Sequence, residues 1–208
     1  MSQQNLPAQE ALTRLVDGNR RYMQNVRSVD SMLSHSRRDF QAQVPLAIVL
    51  GCSDSRAPAE VVFDQRLGDL FVIRVAGNIV APSQIGSVEF AAEQFGIRLV
   101  VVMGHSSCGA IDAALESLLR PDKKISPNLM SIIDRVRPSL VPLVGTELAS
   151  DPERLRHEAT RANVRASVRQ LRQCQEIKLL IDGEGLMVVG AEMDVATGAV
   201  SFFDGIPA

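Results

Sequence analysis

The sequence lacks an excess of charge, an abundance of aromatic residues and long apolar runs. Its 22 basic and 24 acidic residues give a formal net charge of −2, and aromatic residues make up 4% of the 208-residue chain, with no tryptophan. This composition argues against nucleic acid or an anionic membrane as the main partner. The longest apolar runs, such as 46–51 and 99–104, are far shorter than the roughly 20 residues that span a bilayer. We therefore expect no membrane-spanning segment.

Cysteine is also rare, with three in the chain. An odd number does not suit a disulfide framework, so we expect reduced thiols. The first residues, MSQQNLPAQEAL, show no basic segment followed by an apolar one, which is the pattern of a secretory signal. These features predict a cytoplasmic protein. With 46% apolar and 22% charged residues, the chain is expected to be globular, and its length suits one domain better than two.

Short apolar runs and helical stretches alternate after residue 43. The run at 44–51 is continuous, which is typical of a strand buried on both faces of a parallel sheet, and two more runs follow at 70–75 and 99–103. A fourth strand is predicted at 186–195, followed by a turn at Thr197-Gly198 into an antiparallel edge strand at 199–203. The alternation of strand and helix implies right-handed crossovers and an α/β fold with a parallel sheet.

Apolar residues at helical spacing predict five helices. These cover 7–24, 83–95, 109–119, 129–136 and 151–173. We expect Ser83 to cap the second helix and Gly96 to end it. Pro138 is expected to end the fourth helix, and Asp151 to cap the arginine-rich fifth helix.

Residues with metal-ligand chemistry follow two of the apolar runs. Cys52 comes directly after the first run, and His105 and Cys108 follow the third. Sites in parallel sheets form at the carboxyl ends of strands, so these side chains converge if the two strands are neighbours. Two thiolates and one imidazole suit a single Zn²⁺ and leave one position open, which points to catalysis. The plainer alternative is that both cysteines are ordinary buried residues.

Asp54 and Arg56 lie close to this candidate metal site in the sequence. Asp54 has two possible roles: a fourth zinc ligand, or the partner of Arg56 in a bidentate pair that leaves the position to water. Bidentate pairing favours the second arrangement, in which Asp54 accepts a hydrogen bond from a zinc-bound hydroxide. An ordinary salt bridge within a loop is the plainer alternative.

The paired motifs CSDSR and HSSCG, together with GNRRY at 18–22 and RVAGN at 74–78, resemble those of the β-class carbonic anhydrases. The similarity extends to the EMDVATGAVSFF segment near the end of the chain. The resemblance implies a central four-stranded parallel sheet with an antiparallel fifth edge strand, flanked by helices. It also implies one zinc ion per chain, held by Cys52, His105 and Cys108, with Asp54 and Arg56 as a catalytic dyad.

The same resemblance implies an assembly of subunits. Residues 1–208 would form a single domain, with an N-terminal helical arm at 1–43 that packs on a partner subunit and an α/β core at 44–208. A homodimer or homotetramer is expected. The reaction implied is zinc-dependent, reversible hydration of carbon dioxide to bicarbonate and a proton, through zinc-bound hydroxide. The substrate would be CO₂ or bicarbonate, with neither nucleic acid nor membrane as a partner.

Positions that match the family's substrate pocket can also be named. Gln43 matches a glutamine that in plant-type members reaches bicarbonate from the neighbouring subunit, and Phe71 and Ala76 match apolar pocket positions. Phe90 stands where plant-type members carry a tyrosine, so we expect a drier pocket with altered anion binding. Gly109, next to Cys108, completes this substrate-binding set.

Four further residues bear on regulation and proton transfer. Some members of the family are inhibited by bicarbonate at a second site and carry a tryptophan where this chain has Val49. We therefore expect bicarbonate inhibition at a second site to be absent here. Arg74 matches the anion-binding arginine of those members, but it also fits an ordinary buried ion pair. His35 and His157 are expected at the surface, with His35 a weak candidate for proton transfer. Cys174 is expected to be a spare buried thiol.

Two rival functions remain open on the sequence. A hydrolase of carbonyl sulfide or carbon disulfide would use the same zinc chemistry on a different linear substrate, and pocket shape rather than ligand identity would separate the two. A zinc-stabilised module without catalysis would need four protein ligands, with Asp54 as the fourth.

Overall fold

The computed structural model describes residues 6–26, 43–122 and 124–206. Its helices are α1 (Ala8–Met23), α2 (Ala59–Val62), α3 (Pro82–Gln94), α4 (Gly109–Leu119), α5 (Pro127–Val144), α6 (Pro152–Gln173) and α7 (Gln175–Glu184). Its strands are β1 (Ala47–Gly51), β2 (Leu70–Arg74), β3 (Leu99–His105), β4 (Met187–Met193) and β5 (Val200–Asp204). Short 3₁₀ turns cover Ala76–Asn78 and Glu147–Ser150.

The five strands form one sheet in the order β2-β1-β3-β4-β5. The first four are parallel, and β5 pairs antiparallel with β4 at one edge. The predicted architecture is therefore confirmed. In the sheet, β1 and β3 are neighbours, and Gly51 pairs with Met103. This register places the residues that follow β1 beside the last residues of β3.

Helices cover both faces of the sheet, which explains why the central strands are continuously apolar. Side chains such as Val49, Val101 and Val189 pack with α1 and α2 on one face. Their neighbours along the strands, such as Ile48, Val100 and Val188, pack with α3, α6 and α7 on the other. A third apolar cluster joins α4, α5 and the first turns of α6 at the carboxyl ends of the strands, and it includes Cys52 and Cys108.

Helix α1 packs against the core of its own chain in this structure. The buried side-chain amide of Asn19 donates to the carbonyl oxygens of Val62 and Gly198, at 3.1 and 2.8 Å, and its oxygen accepts from the backbone N–H of Val200 at 2.9 Å. These bonds tie α1 to α2 and to the turn between β4 and β5. Because residues 27–42 lie outside the described part of the chain, packing of the 1–43 arm on a partner stays a prediction.

Gly18 lets α1 approach the backbone at Phe63, which provides a test of this docking. A Cβ atom on Gly18 would lie 1.8 Å from the Phe63 carbonyl oxygen. We expect Gly18→Ala to destabilise the fold by about 1–3 kcal/mol or more, as overpacking does. The matched control is Gly86→Ala in α3, where no atom lies within 4 Å of the added Cβ and helix propensity predicts up to about 1 kcal/mol of stabilisation. Denaturant unfolding of both variants measures the difference, and equal stabilities would contradict the close contact.

Two predicted helix boundaries are wrong. Helix α5 continues through Pro138 to Val144 and contains a second proline, Pro142. Both prolines lie on the exposed side of α5, where water can satisfy the carbonyl groups that lose their helical partners. At the start of α3, Pro82 occupies the first helical position and Ala81 the cap, so Ser83 is inside the helix.

In the described part of the chain, no helix combines the length and apolar character needed to cross a bilayer.

Candidate metal centre

Three buried side chains meet where β1 and β3 end. Cys52 follows β1, His105 is the last residue of β3, and Cys108 caps the amino end of α4. Their potential ligand atoms all lie within 4.8 Å of one another, and the two sulfur atoms are 4.0 Å apart. The residues are 7%, 1% and 3% exposed, respectively. The structure thus brings together the three residues that the sequence assigns to zinc, and their donor set is one that zinc prefers.

The ring of His105 is oriented by the backbone. Its Nδ1 lies 2.9 Å from the Ser106 carbonyl oxygen, so Nδ1 carries the proton and donates it there. Nε2 then presents a lone pair, and this buried atom has no hydrogen-bond partner among the described residues. Ser106 is itself fixed, because its N–H donates to the Met193 carbonyl and its hydroxyl accepts from the N–H of Val195. A buried nitrogen held in this tautomer without a partner fits a metal ligand.

The two thiols of the cluster differ in acidity. The contact between the two sulfurs lowers the pKa of Cys52, and the neighbouring His105 ring and the N–H of Gly77 act in the same direction. The same contact with Cys52, together with burial, raises the pKa of Cys108. Burial opposes the charged form of His105, but the neighbouring Cys52 sulfur, the Ser106 carbonyl oxygen and the Asp54 carboxylate favour it, so the pKa of the ring is raised. The two sulfurs thus form a coupled pair in which the pKa of one thiol is lowered and that of the other is raised.

Asp54 and Arg56 form the expected bidentate pair beside this cluster. Arg56 Nε donates to Asp54 Oδ1 at 2.9 Å, and Arg56 Nη2 donates to Oδ2 at 2.8 Å. Arg56 Nη2 also lies 3.2 Å from the Ser107 carbonyl oxygen, which ties the pair to the loop before α4. The Arg56 guanidinium holds the pKa of Asp54 well below its usual range. Asp54 Oδ2 lies 3.9 Å from His105 Nε2, so an ionised carboxylate borders the cluster.

Arg74 supports the loop that carries Cys52 and Asp54. Its Nε donates to the Cys52 carbonyl oxygen at 3.0 Å, and its Nη2 donates to the Asp54 carbonyl oxygen at 2.5 Å. The side chain therefore binds two backbone carbonyls, and among the described residues it forms no ion pair of the kind that the sequence also allowed. Val49 is a fully buried core residue of β1.

One contact to the cluster was missed by sequence reasoning. The backbone N–H of Gly77 donates to Cys52 Sγ at 3.4 Å. Gly77 lies in the 3₁₀ turn that follows β2 and has a φ of +68°, a left-handed conformation that favours glycine. The glycine of the RVAGN motif was the one sequence feature that could have indicated this contact. A hydrogen bond from a backbone N–H does not depend on the type of side chain, so the sequence does not reveal it directly.

The predicted substrate residues divide into a near group and a far group. Ala76 precedes Gly77 in the turn beside Cys52. Gly109 follows Cys108, and beyond its own helical turn no described atom lies within 4 Å of where its Cβ would be. Phe71 pairs with Ile48, which precedes Cys52 by four positions in the chain. At about 3.3 Å per residue along a strand, that places Phe71 roughly 13 Å from the cluster.

The far group lies towards the amino ends of the strands. Phe71, Phe90 and Phe95 form an aromatic cluster with ring centroids 6.0–6.3 Å apart, and Phe90 is 53% exposed. Gln43 precedes β1, where it packs beside Gly68 and lines a cavity of about 910 Å³ that does not include the cysteines. Within one chain, Gln43, Phe71 and Phe90 therefore lie away from the candidate metal centre.

His157 has no contact with the cluster among those described. His157 is half-exposed on α6, with Nδ1 3.3 Å from Glu192 Oε1. His35 lies outside the described residues, and its proposed part in proton transfer stays a prediction.

Cys174 belongs to a second group of possible metal ligands. Its sulfur lies 3.2 Å from Glu89 Oε1 and 3.1 Å from Glu176 Oε2, and the residue is half-buried rather than buried. These hydrogen bonds account for the thiol without a metal. We expect purified protein to contain one zinc per chain, and Cys174→Ser to contain the same amount. Elemental analysis of both proteins tests this, and two zinc ions per chain, falling to one in the variant, would contradict it.

The chain is similar to known carbonic anhydrases along most of its length. A family model described as carbonic anhydrase matches residues 47–200. A carbonic anhydrase of Mycolicibacterium smegmatis is 42% identical over 130 residues, which cover 61% of this chain and 62% of that protein. The match thus spans about three fifths of that relative's length. A carbonic anhydrase of Pseudomonas aeruginosa is 32% identical over 197 residues, which cover 92% of this chain and 87% of that protein.

Solved structures agree with the sequence matches. One of two tetrameric β-carbonic anhydrases of the filamentous ascomycete Sordaria macrospora superposes with a TM-score of 0.73 at 27% identity, covering 82% of this chain and 88% of that chain. The named relatives are all called carbonic anhydrases, which does not support the carbonyl sulfide alternative. From the family match over residues 47–200 and the near full-length relative, we conclude that this chain belongs to the β-class carbonic anhydrases.

Proposed function

We propose that this protein catalyses the reversible hydration of carbon dioxide to bicarbonate and a proton, with one Zn²⁺ held by Cys52, His105 and Cys108. The observation that carries the proposal is the convergence of these three buried ligands beside the ionised Asp54 carboxylate. Three ligands leave one zinc position open, as in catalytic rather than structural sites. A zinc ion held there would supply a water nucleophile at neutral pH, because zinc strongly lowers the pKa of its bound water, to about 7.

Asp54 and Arg56 orient the attacking water. Arg56 engages both carboxylate oxygens of Asp54, which keeps the group ionised and turned towards its guanidinium rather than towards the sulfurs. The Asp54 carboxylate retains further lone pairs and accepts a hydrogen bond from the water. This bond directs a lone pair of the water oxygen towards the carbon of CO₂. The proton released by the reaction passes to solvent or buffer.

The apolar part of the substrate pocket is assigned to two chains. Ala76 and the open space at Gly109 lie beside the metal ligands of the same chain. Gln43, Phe71 and Phe90 lie too far away to contact CO₂ in their own subunit, so we assign them to the site of a second copy. There the phenyl rings exclude water, and the Gln43 amide donates to an oxygen of CO₂ or bicarbonate. This arrangement requires a homodimer or a homotetramer built from such dimers.

Three free thiols support a reducing location. Cys52, Cys108 and Cys174 are all unpaired in the structure. We therefore keep the cytoplasm as the proposed compartment.

Stopped-flow hydration of CO₂, with metal analysis of the same sample, tests the proposed function. We expect catalysis in protein that carries one zinc per chain, loss of catalysis after removal of zinc by a chelator, and recovery when zinc is restored. Parallel assays with carbonyl sulfide and carbon disulfide are expected to show much slower turnover. Zinc-loaded protein without CO₂ hydration would contradict the proposal, and faster sulfide release than CO₂ hydration would favour the rival hydrolase.

A further inference from the structure

Asn163 is a buried polar residue of α6 that faces the turn at Ala76–Asn78. Its side-chain amide donates to the Gly77 carbonyl oxygen at 2.8 Å, and the residue is 2% exposed. One turn further along α6, the Ser167 hydroxyl donates to the Asn78 carbonyl oxygen at 3.2 Å. Two side chains of one helix therefore hold two successive carbonyl groups of this turn.

The same turn contacts a candidate metal ligand through Gly77, whose N–H donates to Cys52 Sγ. Gly77 and Asn78 both have left-handed backbone conformations, with φ of +68° and +42°. Because glycine is free to rotate about both of its backbone dihedrals, the direction of the Gly77 N–H depends on outside restraints. Asn163 supplies one such restraint at the carbonyl of the same residue.

We propose that Asn163 is a positioning residue of the metal centre, which holds Gly77 so that its N–H donates to Cys52 Sγ. The inference rests on the proposed function, because it gives Cys52 the part of a metal ligand. Hydrogen bonds to metal ligands orient them and adjust the charge that they give to the metal. Asn163 acts through Gly77 and does not touch the metal or the substrate.

A purely structural role for Asn163 is the competing explanation, so the test needs a matched control on the same helix. Thr160 lies one turn before Asn163 and is 4% exposed, but its hydroxyl donates to the Arg156 carbonyl within α6. Thr160→Val therefore removes a buried hydrogen bond that does not involve the turn. Asn163→Ala removes the amide donor, and Asn163→Ser leaves a smaller cavity while its hydroxyl is too short to replace the amide.

The first readout is zinc affinity, measured by competition with a chelator. We expect both Asn163 variants to bind zinc about 10- to 100-fold more weakly than the unmodified protein, the usual cost of losing a partner of a metal ligand. Thr160→Val is expected to bind zinc as tightly as the unmodified protein. Thermal unfolding of the metal-free proteins shows whether the variants and the control have lost similar stability.

The second readout is the sulfur-to-metal charge-transfer absorption of cobalt-substituted protein. Without the hydrogen bond from the Gly77 N–H, electrons on the Cys52 sulfur are less stabilised. The charge-transfer band is therefore expected to move to lower energy in the Asn163 variants only. Unmodified protein that binds zinc and hydrates CO₂, combined with Asn163 variants that match Thr160→Val in both readouts, would overturn the inference and leave the proposed function intact. Unmodified protein that binds no zinc would overturn both.

A measurement on the unmodified protein covers the case in which the Asn163 variants do not fold. In protein loaded with a spin-active cadmium isotope, the Gly77 amide proton is expected to show scalar coupling to the metal through the Cys52 sulfur. Absence of that coupling would overturn the inference without any variant.

Discussion

Cys52→Ser is expected to lose zinc and CO₂ hydration together. Serine keeps the size of the side chain, but its hydroxyl stays protonated at neutral pH and replaces the thiolate poorly as a zinc ligand. The loss of hydration is expected to exceed the roughly 10- to 100-fold that follows loss of an outer partner of a metal ligand. Metal analysis and stopped-flow hydration on the same samples measure both effects.

Cys174→Ser is the control for this substitution. It makes the same chemical change in a thiol that lies beside Glu89 and Glu176 and outside the candidate metal centre. We expect its zinc content and turnover to match those of the unmodified protein. Full zinc content with full turnover in Cys52→Ser would remove Cys52 from the ligand set, and with it the proposed centre.

Asp54→Asn is expected to keep zinc but to lower turnover by about 10²-fold, the cost that misplacement of a reacting group by about 1 Å can carry. Asparagine has the same shape, but it is neutral, and its amide nitrogen faces the Arg56 guanidinium as a second donor. The pair breaks, and the attacking water loses the acceptor that orients it. Turnover should therefore fall in this variant while the zinc content stays the same.

Asp69→Asn provides a closely matched control. Asp69 forms a bidentate pair with Arg66, and the side chains of both pairs have the same exposure, 50% for arginine and 19% for aspartate. Because this pair lies in the loop before β2, we expect turnover to be nearly unchanged in Asp69→Asn. Loss of zinc in Asp54→Asn would make Asp54 a metal ligand, and equal turnover in the two variants would reject its proposed part in catalysis.

The parallel sheet could be predicted from the sequence because its strands are covered on both faces. Runs such as 99–103 contain no polar residue, and a strand with a solvent-facing side would alternate instead. The position of the candidate metal centre could be predicted by the same reasoning. Cys52 and His105 are far apart in the chain, but each ends a predicted strand, and neighbouring parallel strands end at the same edge.

Helix boundaries were harder to predict where tertiary packing outweighs local signals. Ile133, Val136 and Leu140 bury one face of α5, which holds the helix together past Pro138. Helix α7 was not predicted, because no proline or glycine separates it from α6. The break between them is a single extended residue, Cys174, and its sequence neighbours are ordinary helix formers.

The surroundings of the site depend on contacts that sequence spacing does not reveal. The bond from Asn163 to Gly77 joins residues 86 positions apart, and neither residue type signals it. The far position of Phe71 depends on the register between β1 and β2, which pairs it with Ile48, and Phe90 lies against Phe71 from α3. A sequence motif therefore predicts that two residues share a site only when both residues lie at the ends of neighbouring strands or helices.

X-ray absorption at the zinc edge of the purified protein measures the proposed ligand set itself. We expect two sulfur neighbours at about 2.3 Å and one histidine nitrogen at about 2.0–2.1 Å, with a single further light atom. In Cys52→Ser the zinc signal is expected to fall with the metal content, whereas in Asp54→Asn the shell of two sulfurs and one nitrogen is expected to persist. A zinc shell without sulfur in the unmodified protein would contradict the assignment of Cys52, His105 and Cys108.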